Sequence, residues 1–281
     1  MNCLVTLNYN DSKNCIKLIN NVLNFHLFDK VVVVDNNSNE DQLQLLKKYL
    51  SNQVFLIENN ENKGFAYGNN VGLKFLYKNF NVDFVFICNT DIILNKNIIQ
   101  NCVNQLEKDI NLGAITCLMK EYDGKEVDSF WNIKKVSYYY KRFFLLKNKI
   151  FPIKNKSIKE YKDFFYVDCV RASFVGFRMD MLANVDFFDE HTFLYYEEDI
   201  LFTKFKEKNY KVGVLTSNYY IHNHPRKPKS KTNISILKET YKSLYYYLTK
   251  YRNINFYRKI IFKIAAFITL CEFKLLNLIR K

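Results

Sequence analysis

Glycine and proline, the residues that most often interrupt regular structure, are scarce in this sequence. Its 281 residues include only 7 glycines and 3 prolines. Neither GxGxxG nor GxxxxGK(S/T) occurs, which disfavours a glycine-rich phosphate loop of the dinucleotide-binding or P-loop type. Without such a loop, a bound diphosphate would need a metal ion to offset its charge. The length suits one large α/β domain, or one domain with a small appendage.

Disulfide, metal-binding and targeting patterns are also missing. The 7 cysteines are widely spaced and include no CxxC pair, so buried, reduced thiols of a cytoplasmic protein are expected. Residues 1–7 have no basic segment ahead of an apolar run and are interpreted as a first strand, not as a signal peptide. The most apolar stretch, residues 260–270, is interrupted by Lys263 and is shorter than the ~20 residues that span a bilayer.

Acidic residues are scarce in two segments, where the positive charge of the chain is concentrated. The formal net charge is +14, and residues 221–281 contain 14 Lys/Arg against 2 Asp/Glu. Residues 133–162 contain 10 Lys/Arg and a single acid, so the rest of the chain is acidic. Toward the C-terminus, basic residues alternate with aromatic and aliphatic ones at helical spacing. Two interpretations stay open: a helix lying on an anionic membrane, or a helix packed on the body with a solvated face.

Strand and helix patterns alternate over the first 120 residues. The predicted strands cover residues 4–7, 31–34, 54–57, 84–88 and 114–118, and the predicted helices cover residues 11–26, 41–50, 65–78 and 98–109. The order predicts an α/β fold with a doubly wound, mostly parallel sheet flanked by helices. Beyond it, the patterns predict an irregular or helical segment (121–165), strands at 166–170, 174–178 and 212–215, a helix at 198–208, and helices from residue 233 onward.

Polar residues follow the first four predicted strands. They are Asn8–Tyr9–Asn10, Asp35–Asn36–Asn37–Ser38, Glu58–Asn59–Asn60 with Asn62–Lys63–Gly64, and Asn89–Thr90–Asp91. Each group taken alone could be an ordinary turn or helix cap. Because ligands bind beyond the carboxyl ends of parallel strands, the four loops together predict a polar cleft at one edge of the sheet.

Two groups of residues in the chain could carry chemistry. Asp91, a carboxylate at a strand end, suits Mg²⁺ or Mn²⁺, which prefer oxygen ligands shared with substrate phosphates. His222 and His224 are either further ligands or surface residues. The acids of residues 197–199 could simply favour the positive end of a helix dipole. Flanked by aromatics, Glu198 or Asp199 could instead be a general base held in a partly apolar cleft.

Six motifs then occur in a recognisable order. They are Leu7–Asn8–Tyr9–Asn10, Val34–Asp35–Asn36–Asn37–Ser38, Asn62 to Ala66 with Gly68–Asn69–Asn70–Val71–Gly72, Asn89–Thr90–Asp91, Phe188–Asp189–Glu190 with Tyr195 to Leu201, and Ile221–His222–Asn223–His224. In this order they resemble the family 2 glycosyltransferases, in particular those that build bacterial O-antigen (lipopolysaccharide) and capsule, including rhamnosyltransferase-like members. The resemblance covers residues 1–120 and 165–225 well and the C-terminal helices loosely.

The resemblance implies a GT-A fold and a division of the chain. Residues 1–225 would form the transferase domain, with a nucleotide-binding half at 1–120 and an acceptor half at 121–225, followed by a basic helical extension at 226–281. The implied reaction is an inverting transfer from a UDP- or dTDP-linked sugar to a hydroxyl of a lipid-diphosphate-linked glycan. It would take place at the inner face of the bacterial cytoplasmic membrane, with no nucleic-acid partner.

The resemblance also implies roles for individual residues. Asp199 would be the catalytic base, with Glu198 orienting it, and Asp91 with His222 would hold Mg²⁺ or Mn²⁺. The residues expected to bind the nucleotide are Leu7, Asn8, Tyr9, Asp35, Asn37, Lys63, Gly64, Asn70, Asn89 and Thr90. Those expected to contact the acceptor are Trp131, Arg171, Ser173 and Glu197.

Departures from the family pattern leave alternatives open. Asn89 replaces the first acid of the family's DxD motif, so metal binding is expected to be weak, and a catalytically inactive member is one alternative. A nucleic-acid-binding protein would fit the pI of about 9.3, yet no nucleic-acid-binding motif occurs. A nucleotidyltransferase of similar α/β build would normally carry a glycine-rich phosphate loop, which this sequence lacks.

Overall fold

The computed structural model describes residues 1–141, 143, 163–223 and 233–279. The strands are β1 (Asn2–Asn8), β2 (Lys30–Asp35), β3 (Val54–Glu58), β4 (Phe84–Cys88), β5 (Ile92–Ile93), β6 (Leu112–Glu121), β7 (Glu126–Val127), β8 (Phe130–Trp131), β9 (Phe164–Val167), β10 (Cys169–Val170), β11 (Phe174–Arg178) and β12 (Lys211–His222). The helices are α1 (Ser12–Leu23), α2 (Glu40–Lys47), α3 (Phe65–Asn79), α4 (Lys96–Lys108), α5 (Val136–Lys141), α6 (Met179–Asn184), α7 (Glu197–Glu207), α8 (Ile234–Lys250) and α9 (Phe256–Ile279).

A mixed, mostly parallel sheet organises the described part of the chain. Its strand order is β3-β2-β1-β4-β11-β6-β12-β5, with β7 beside β6 and β9 beside β12. Strands β3, β2, β1 and β4 are mutually parallel, as are β6 and β12. The predicted sheet is therefore confirmed. One feature was not predicted: β11 lies antiparallel between β4 and β6, so these two parallel strands are separated by a strand that comes later in the sequence.

The central strands are buried on both faces, which explains their uninterrupted apolar runs. Along β2, Val31 and Val33 pack with α1 and α4 on one side of the sheet. Val32 and Val34 pack with α3, α6 and α7 on the other side. Each fully buried side chain of this size contributes about 1.5–3 kcal/mol, so both layers of helices are tied to the same strands.

All seven cysteines are free thiols, and six of them are buried. Burial raises the pKa of Cys3 and of Cys117 to about 12. The expected burial is confirmed for six of the seven thiols, and desolvation keeps such groups protonated and unreactive.

Two predicted strands have different limits in the structure. The strand predicted at 166–170 is split, because Asp168 accepts a hydrogen bond from the Ile133 amide at 3.0 Å and pairs with Lys206 at 2.9 Å. The chain therefore leaves the main sheet after β9, and β10 pairs with β8 instead. The strand predicted at 212–215 continues to His222 through an irregularity between Leu215 and Tyr219. This extension carries a histidine to the cleft edge.

Parts of the predicted second half lie outside the described residues. These include most of the basic segment at 133–162, His224 and the proposed boundary between residues 225 and 226. The described part of the 121–165 segment contains the helix α5, in line with the prediction of irregular or helical structure, and the short strands β7 and β8, which the sequence pattern did not predict.

The C-terminal helices are packed on the body along part of their surface. Leu244, Tyr247 and Leu248 of α8 form a third apolar cluster with Tyr139 and Ile200. Helix α9 adds Phe262 and Ala266 to this cluster. The packed-helix interpretation therefore holds for α8. No helix in the described ranges is both long and apolar enough to cross a bilayer.

Asp189 joins α8 to the segment that precedes α7. Its carboxylate accepts hydrogen bonds from the Tyr246 and Tyr251 hydroxyls and from both the backbone amide and Nδ1 of His191. Burial alone would raise the pKa of Asp189, but the hydrogen bonds from Tyr251, His191 and Tyr246 outweigh it and lower the pKa to about 2. The ionised carboxylate is thus a fixed anchor for the C-terminal helices.

Replacing Asp189 with Asn should destabilise the protein by about 2 kcal/mol at pH 7, because hydrogen bonds to a charged acceptor are lost. Since the folded pKa lies below the ordinary value of 3.8, this contribution is present above about pH 4 and disappears as the pH falls toward 2. Denaturant unfolding of both proteins across this pH range would measure it. The exposed carboxylate Glu107, changed to Gln, is the control and should shift stability by less than about 0.5 kcal/mol.

Candidate active site

The loops after β1 and β2 are locked together by a buried hydrogen-bond network. Nδ2 of Asn8 donates to Oδ1 of Asp35 at 2.7 Å and to Oγ of Ser38 at 3.1 Å. Oδ2 of Asp35 accepts from the Ser38 amide at 2.9 Å, and Asp35 is only 2% exposed. Tyr9, by contrast, presents its ring to solvent and is 54% exposed. The predicted nucleotide residues on these strands therefore comprise a rigid buried pair beside an exposed aromatic ring.

The loop after β3 joins the same network. Asn36 donates to Oδ1 of Asn62 at 2.8 Å and accepts from Asn59 at 3.1 Å. Gly64 has φ +96°, and a Cβ there would lie 2.2 Å from the Phe193 carbonyl oxygen. Lys63 is exposed and pairs with Glu61 at 2.7 Å. The glycine is therefore required by both its backbone angle and the close approach of the chain at Phe193.

Asn70, which was predicted to bind the nucleotide, makes several hydrogen bonds within the protein. It lies within α3 and is 1% exposed. Its amide donates to the Phe188 carbonyl at 2.9 Å and to Glu190 at 2.7 Å, and its carbonyl accepts from the Phe188 amide at 3.0 Å. A buried side-chain amide must satisfy its polar groups, and Asn70 does so by clamping α3 to the segment before α7. Asn70 of the Gly68–Gly72 motif therefore makes a contact that stabilises the fold.

The loop after β4 meets the end of β12. The short strand β5 pairs antiparallel with β12, which sets His222 opposite Ile92. Nε2 of His222 lies 3.2 Å from Oδ2 of Asp91. The Asn223 amide donates to the Asp91 carbonyl at 2.8 Å. Thr90, assigned to the nucleotide set, donates its hydroxyl to Asp11 at 2.6 Å.

Asp91 and His222 provide a carboxylate oxygen and an imidazole nitrogen at one point. No group of three or more His, Cys, Asp or Glu side chains that could hold a metal occurs in the described ranges. Mg²⁺ and Mn²⁺ are often held by one or two protein ligands together with substrate phosphates and water. The pair therefore fits a cation that is shared with a bound diphosphate, and does not fit a permanent structural metal.

A strained turn delivers the acidic residues to the cleft. Tyr195 and Tyr196 have φ of 70° and 68°, in the left-handed region that costs non-glycine residues about 1–3 kcal/mol each. Helix α7 begins directly afterwards at Glu197. Ser243 of α8 donates to the Leu194 carbonyl at 3.0 Å and helps to hold the turn. Packing of α8 thus supports a backbone conformation that the local sequence disfavours.

The turn and its neighbours enclose a pocket of about 440 Å³. Its lining combines predicted catalytic and acceptor residues with two from the strand ends. The lining residues are Phe65, Asn89, Trp131, Arg171, Ser173, Leu194, Tyr195, Tyr196, Glu197, Glu198, Asp199, His222 and Thr240. All four predicted acceptor residues and both predicted catalytic residues therefore meet in one place.

Asp199 lies in this pocket under two aromatic donors. Its Oδ1 is 3.4 Å from both Nε1 of Trp131 and the Tyr139 hydroxyl. Burial raises the pKa of Asp199 to about 7, and the charge of Glu198 adds to the rise. A carboxylate with a pKa near neutrality can both accept and release a proton at the pH of a cell.

The other two acids are also desolvated. Oε1 of Glu198 accepts from the Ala172 amide at 3.3 Å, and burial raises its pKa. Glu197 is 5% exposed, and burial raises its pKa to about 8, with Glu198 as the next cause. Glu197 is therefore largely protonated at pH 7, and the pocket holds less negative charge than its composition suggests.

The sequence patterns missed several residues of the pocket. Phe65, Leu194, Tyr195 and Tyr196 lie within or beside recognised motifs, and the aromatic character of Phe65, Tyr195 and Tyr196 was the available signal. Thr240 comes from α8, a helix whose position on the body has no local signal. Tyr139, which contacts Asp199, lies in α5, in a segment that was predicted only as irregular or helical, without limits for a helix.

Comparisons with known sequences identify the family. A family model described as Glycosyl transferase family 2 matches residues 3–181. The low-salt glycan biosynthesis hexosyltransferase Agl10 of Haloferax volcanii is 24% identical over 226 residues, which cover 79% of this chain and 67% of that protein.

Solved structures share the fold. The TarS 1-349 structure of S. aureus has a TM-score of 0.56 at 18% identity, covering 88% of this chain and 65% of that one. The mannosyltransferase PcManGT of Pyrobaculum calidifontis, solved with GDP-Man and Mn²⁺, has a TM-score of 0.59 at 14% identity and covers 96% and 73%. GalNAc-T7, solved with UDP, GalNAc and Mn²⁺, has a TM-score of 0.64 at 11% identity and covers 94% and 54%. The predicted GT-A fold is confirmed, and the chain spans about two thirds of the length of Agl10 and of TarS 1-349.

Replacing Asp199 with Asn should stabilise the protein at pH 8, by on the order of 1 kcal/mol. The folded pKa of about 7 lies above the ordinary value of 3.8, so wild-type stability falls as the pH rises between these values and Asp199 ionises in the pocket. The amide avoids this cost. Melting temperatures at pH 8 and pH 5 should therefore show a larger gain from Asp199→Asn at pH 8. Glu107→Gln should show no such difference, and an equal gain at both pH values would contradict the raised pKa.

Proposed function

The chain belongs to glycosyl transferase family 2, and from this premise we propose that it transfers a sugar from a nucleoside-diphosphate sugar to an acceptor hydroxyl with inversion at the anomeric carbon. The observation that carries the proposal is the position of Asp199, a carboxylate with a pKa near 7, in one pocket with Asn89 and His222 from the strand ends. A nucleic-acid-binding protein and a nucleotidyltransferase would leave this arrangement and the family match without explanation.

Asp199 acts as the general base. The acceptor hydroxyl gives its proton to the Asp199 carboxylate while its oxygen attacks the anomeric carbon, and the bond to the leaving diphosphate breaks. Trp131 and Tyr139 hold the carboxylate from one side. Glu198, fixed by the Ala172 amide, adds negative charge that favours proton uptake by Asp199.

The opposite side of the cleft serves the donor. Asp35, Asn8 and Tyr9 would recognise the base of a UDP- or dTDP-linked sugar. Asp91 and His222 would hold Mg²⁺ or Mn²⁺, which when bound offsets the charge that develops on the leaving diphosphate. Mn²⁺ accompanies GDP-Man in PcManGT and UDP in GalNAc-T7. Asn89 contributes no charge, so we expect weaker metal binding than two carboxylates would give.

The proposed acceptor is a lipid-linked glycan of a bacterial surface polysaccharide, such as O-antigen, lipopolysaccharide or capsule. The transferred sugar would be a hexose or rhamnose. The similarity to Agl10, a hexosyltransferase of glycan biosynthesis, supports the general class. Such an acceptor would place the enzyme at the inner face of the cytoplasmic membrane.

Helix α9 supports contact with an anionic membrane. Its buried side includes Phe262, Ala266 and Thr269, and the Thr269 hydroxyl donates to the Phe143 carbonyl at 2.9 Å. The opposite side presents a stripe of exposed apolar side chains. The stripe consists of Tyr257, Ile260, Ile261, Ile264, Phe267, Ile268, Leu275 and Leu278, each 41–75% exposed.

Basic residues accompany this stripe. Arg258, Lys263 and Lys274 are exposed along α9, and basic residues beside an exposed apolar face suit a helix lying in the surface of anionic lipid. A second copy of the chain fits less well, because each copy carries a net charge of +14. We therefore propose that α9 lies in the plane of an anionic bilayer.

Replacing Asp199 with Asn should reduce transfer about a hundredfold to ten-thousandfold, since a general base contributes roughly 10²–10⁴ and the amide cannot accept the proton. Nucleotide affinity should be unchanged. A panel of nucleotide sugars, assayed with Mn²⁺ for nucleoside-diphosphate release in the presence of glycan acceptors, would identify the donor and measure the loss. Wild-type kcat/KM should rise with pH through about 7. Normal turnover by Asp199→Asn would show that another group is the base.

Replacing Ile261, Ile264 and Phe267 together with Ser should abolish flotation with vesicles that contain anionic lipid, because about 2 kcal/mol of membrane burial is lost at each position. The wild-type protein should float with anionic vesicles and not with neutral ones. A chain ending near Asn253 should behave like the triple variant. The control replaces Leu50, Tyr77 and Ile110, exposed apolar residues elsewhere, and should float normally. Equal flotation of all variants would contradict the membrane proposal.

A further inference from the structure

Arg171 has an unusual position in the pocket. It lies between β10 and β11, where its backbone amide donates to the Ser129 carbonyl at 2.8 Å. Its side chain lines the pocket with Asp199 and Trp131, and its Nε is buried without a hydrogen-bond partner. Within the described residues the guanidinium forms no ion pair. The N–H donors of the guanidinium are thus held in the pocket without a partner from the described part of the protein.

The positive charge of Arg171 has no ion-pair partner among the described residues of the pocket. Arg171 is the only Lys or Arg among the described residues that line it. Burial raises the pKa of Glu198 and Asp128, while the Arg171 charge opposes the rise in both, so the guanidinium lies near these acids without bonding to them. A partly buried cation without a partner is costly. A bound anion would remove that cost.

Resting on the proposed function, we propose that Arg171 binds an anionic group, a phosphate or a carboxylate, on the acceptor next to the attacked hydroxyl. A guanidinium presents parallel N–H donors that match both oxyanions. The arginine stands on the acceptor side, because the amide of the next residue, Ala172, holds Glu198 beside the base Asp199. The donor diphosphate has its own partners in Asp91 and His222.

The neighbouring acids are compatible with an anionic acceptor. Three ionised carboxylates would repel a phosphate or carboxylate. Burial raises the pKa of Glu197 to about 8 and of Asp199 to about 7, so the pocket is partly neutralised near pH 7. An uncharged acceptor would gain nothing from Arg171.

Intrinsic fluorescence offers a direct test, because Trp131 is the only tryptophan of the chain and lines the same pocket. The full-length protein is titrated with glucose 1-phosphate, with methyl glucuronide and with neutral methyl glucoside. At least one anionic probe should bind about tenfold more tightly than the neutral one, and the comparison of the two identifies the preferred oxyanion. Arg171→Gln should abolish this preference and Arg171→Lys should retain part of it. Lys211→Gln, which removes an exposed charge at the opposite edge of the sheet, should leave it intact.

Three outcomes would overturn the proposal. They are equal binding of anionic and neutral probes by the wild type, an unchanged preference in Arg171→Gln, and a loss in Arg171→Gln confined to the affinity for UDP or GDP. The last outcome would assign Arg171 to the donor diphosphate. Melting temperatures of both Arg171 variants, measured alongside the wild type, check that the variants are folded. Because the titration needs no turnover, absence of sugar transfer by the wild type would count against the proposed function alone.

Discussion

Burial of the central parallel strands on both faces is the constraint on which the rest of the structure depends. Val31 to Val34 send alternate side chains into two separate apolar clusters, so β2 cannot shift its register by one residue without exchanging its two cores. The same holds for β1, where Leu4 and Val5 face opposite sides. With the register set, every strand in this group ends at one edge, and the polar loops that follow must share it.

Pairings between distant parts of the chain complete the cleft at that edge. The pairing of β5 with β12 brings His222 to Asp91, across 131 positions of sequence. The pairing of β8 with β10 brings Trp131 beside the strand that leads to Arg171. Helix α8 then holds the strained turn at Tyr195 and Tyr196 in place. A conformation that costs free energy locally persists because the packing of α8 against the turn compensates for it.

Burial lowers the effective dielectric constant of the site, and in this way the fold sets the chemistry of its charged groups. Burial of the residues after the turn raises the pKa of Asp199 into the range useful for proton transfer, and keeps Glu197 largely neutral. Burial also makes it costly to leave the charge of Arg171 unpaired. In an open, solvated site, neither the base nor the cation would differ much from an ordinary surface residue.

The sequence by itself determined the alternating α/β order, the cleft at the strand ends and the acidic group at residues 197–199. These follow from local signals: apolar runs have one period in strands and another in helices, and polar residues after a strand report its end. Local signals also suggested Asn70 as a ligand, although its amide clamps Phe188. Only the tertiary structure decided the antiparallel insertion of β11, the support of the turn by α8, and the exposed apolar stripe of α9. Each depends on which distant surfaces pack against one another, and a pattern of a few residues carries no information about a partner that lies a hundred positions away.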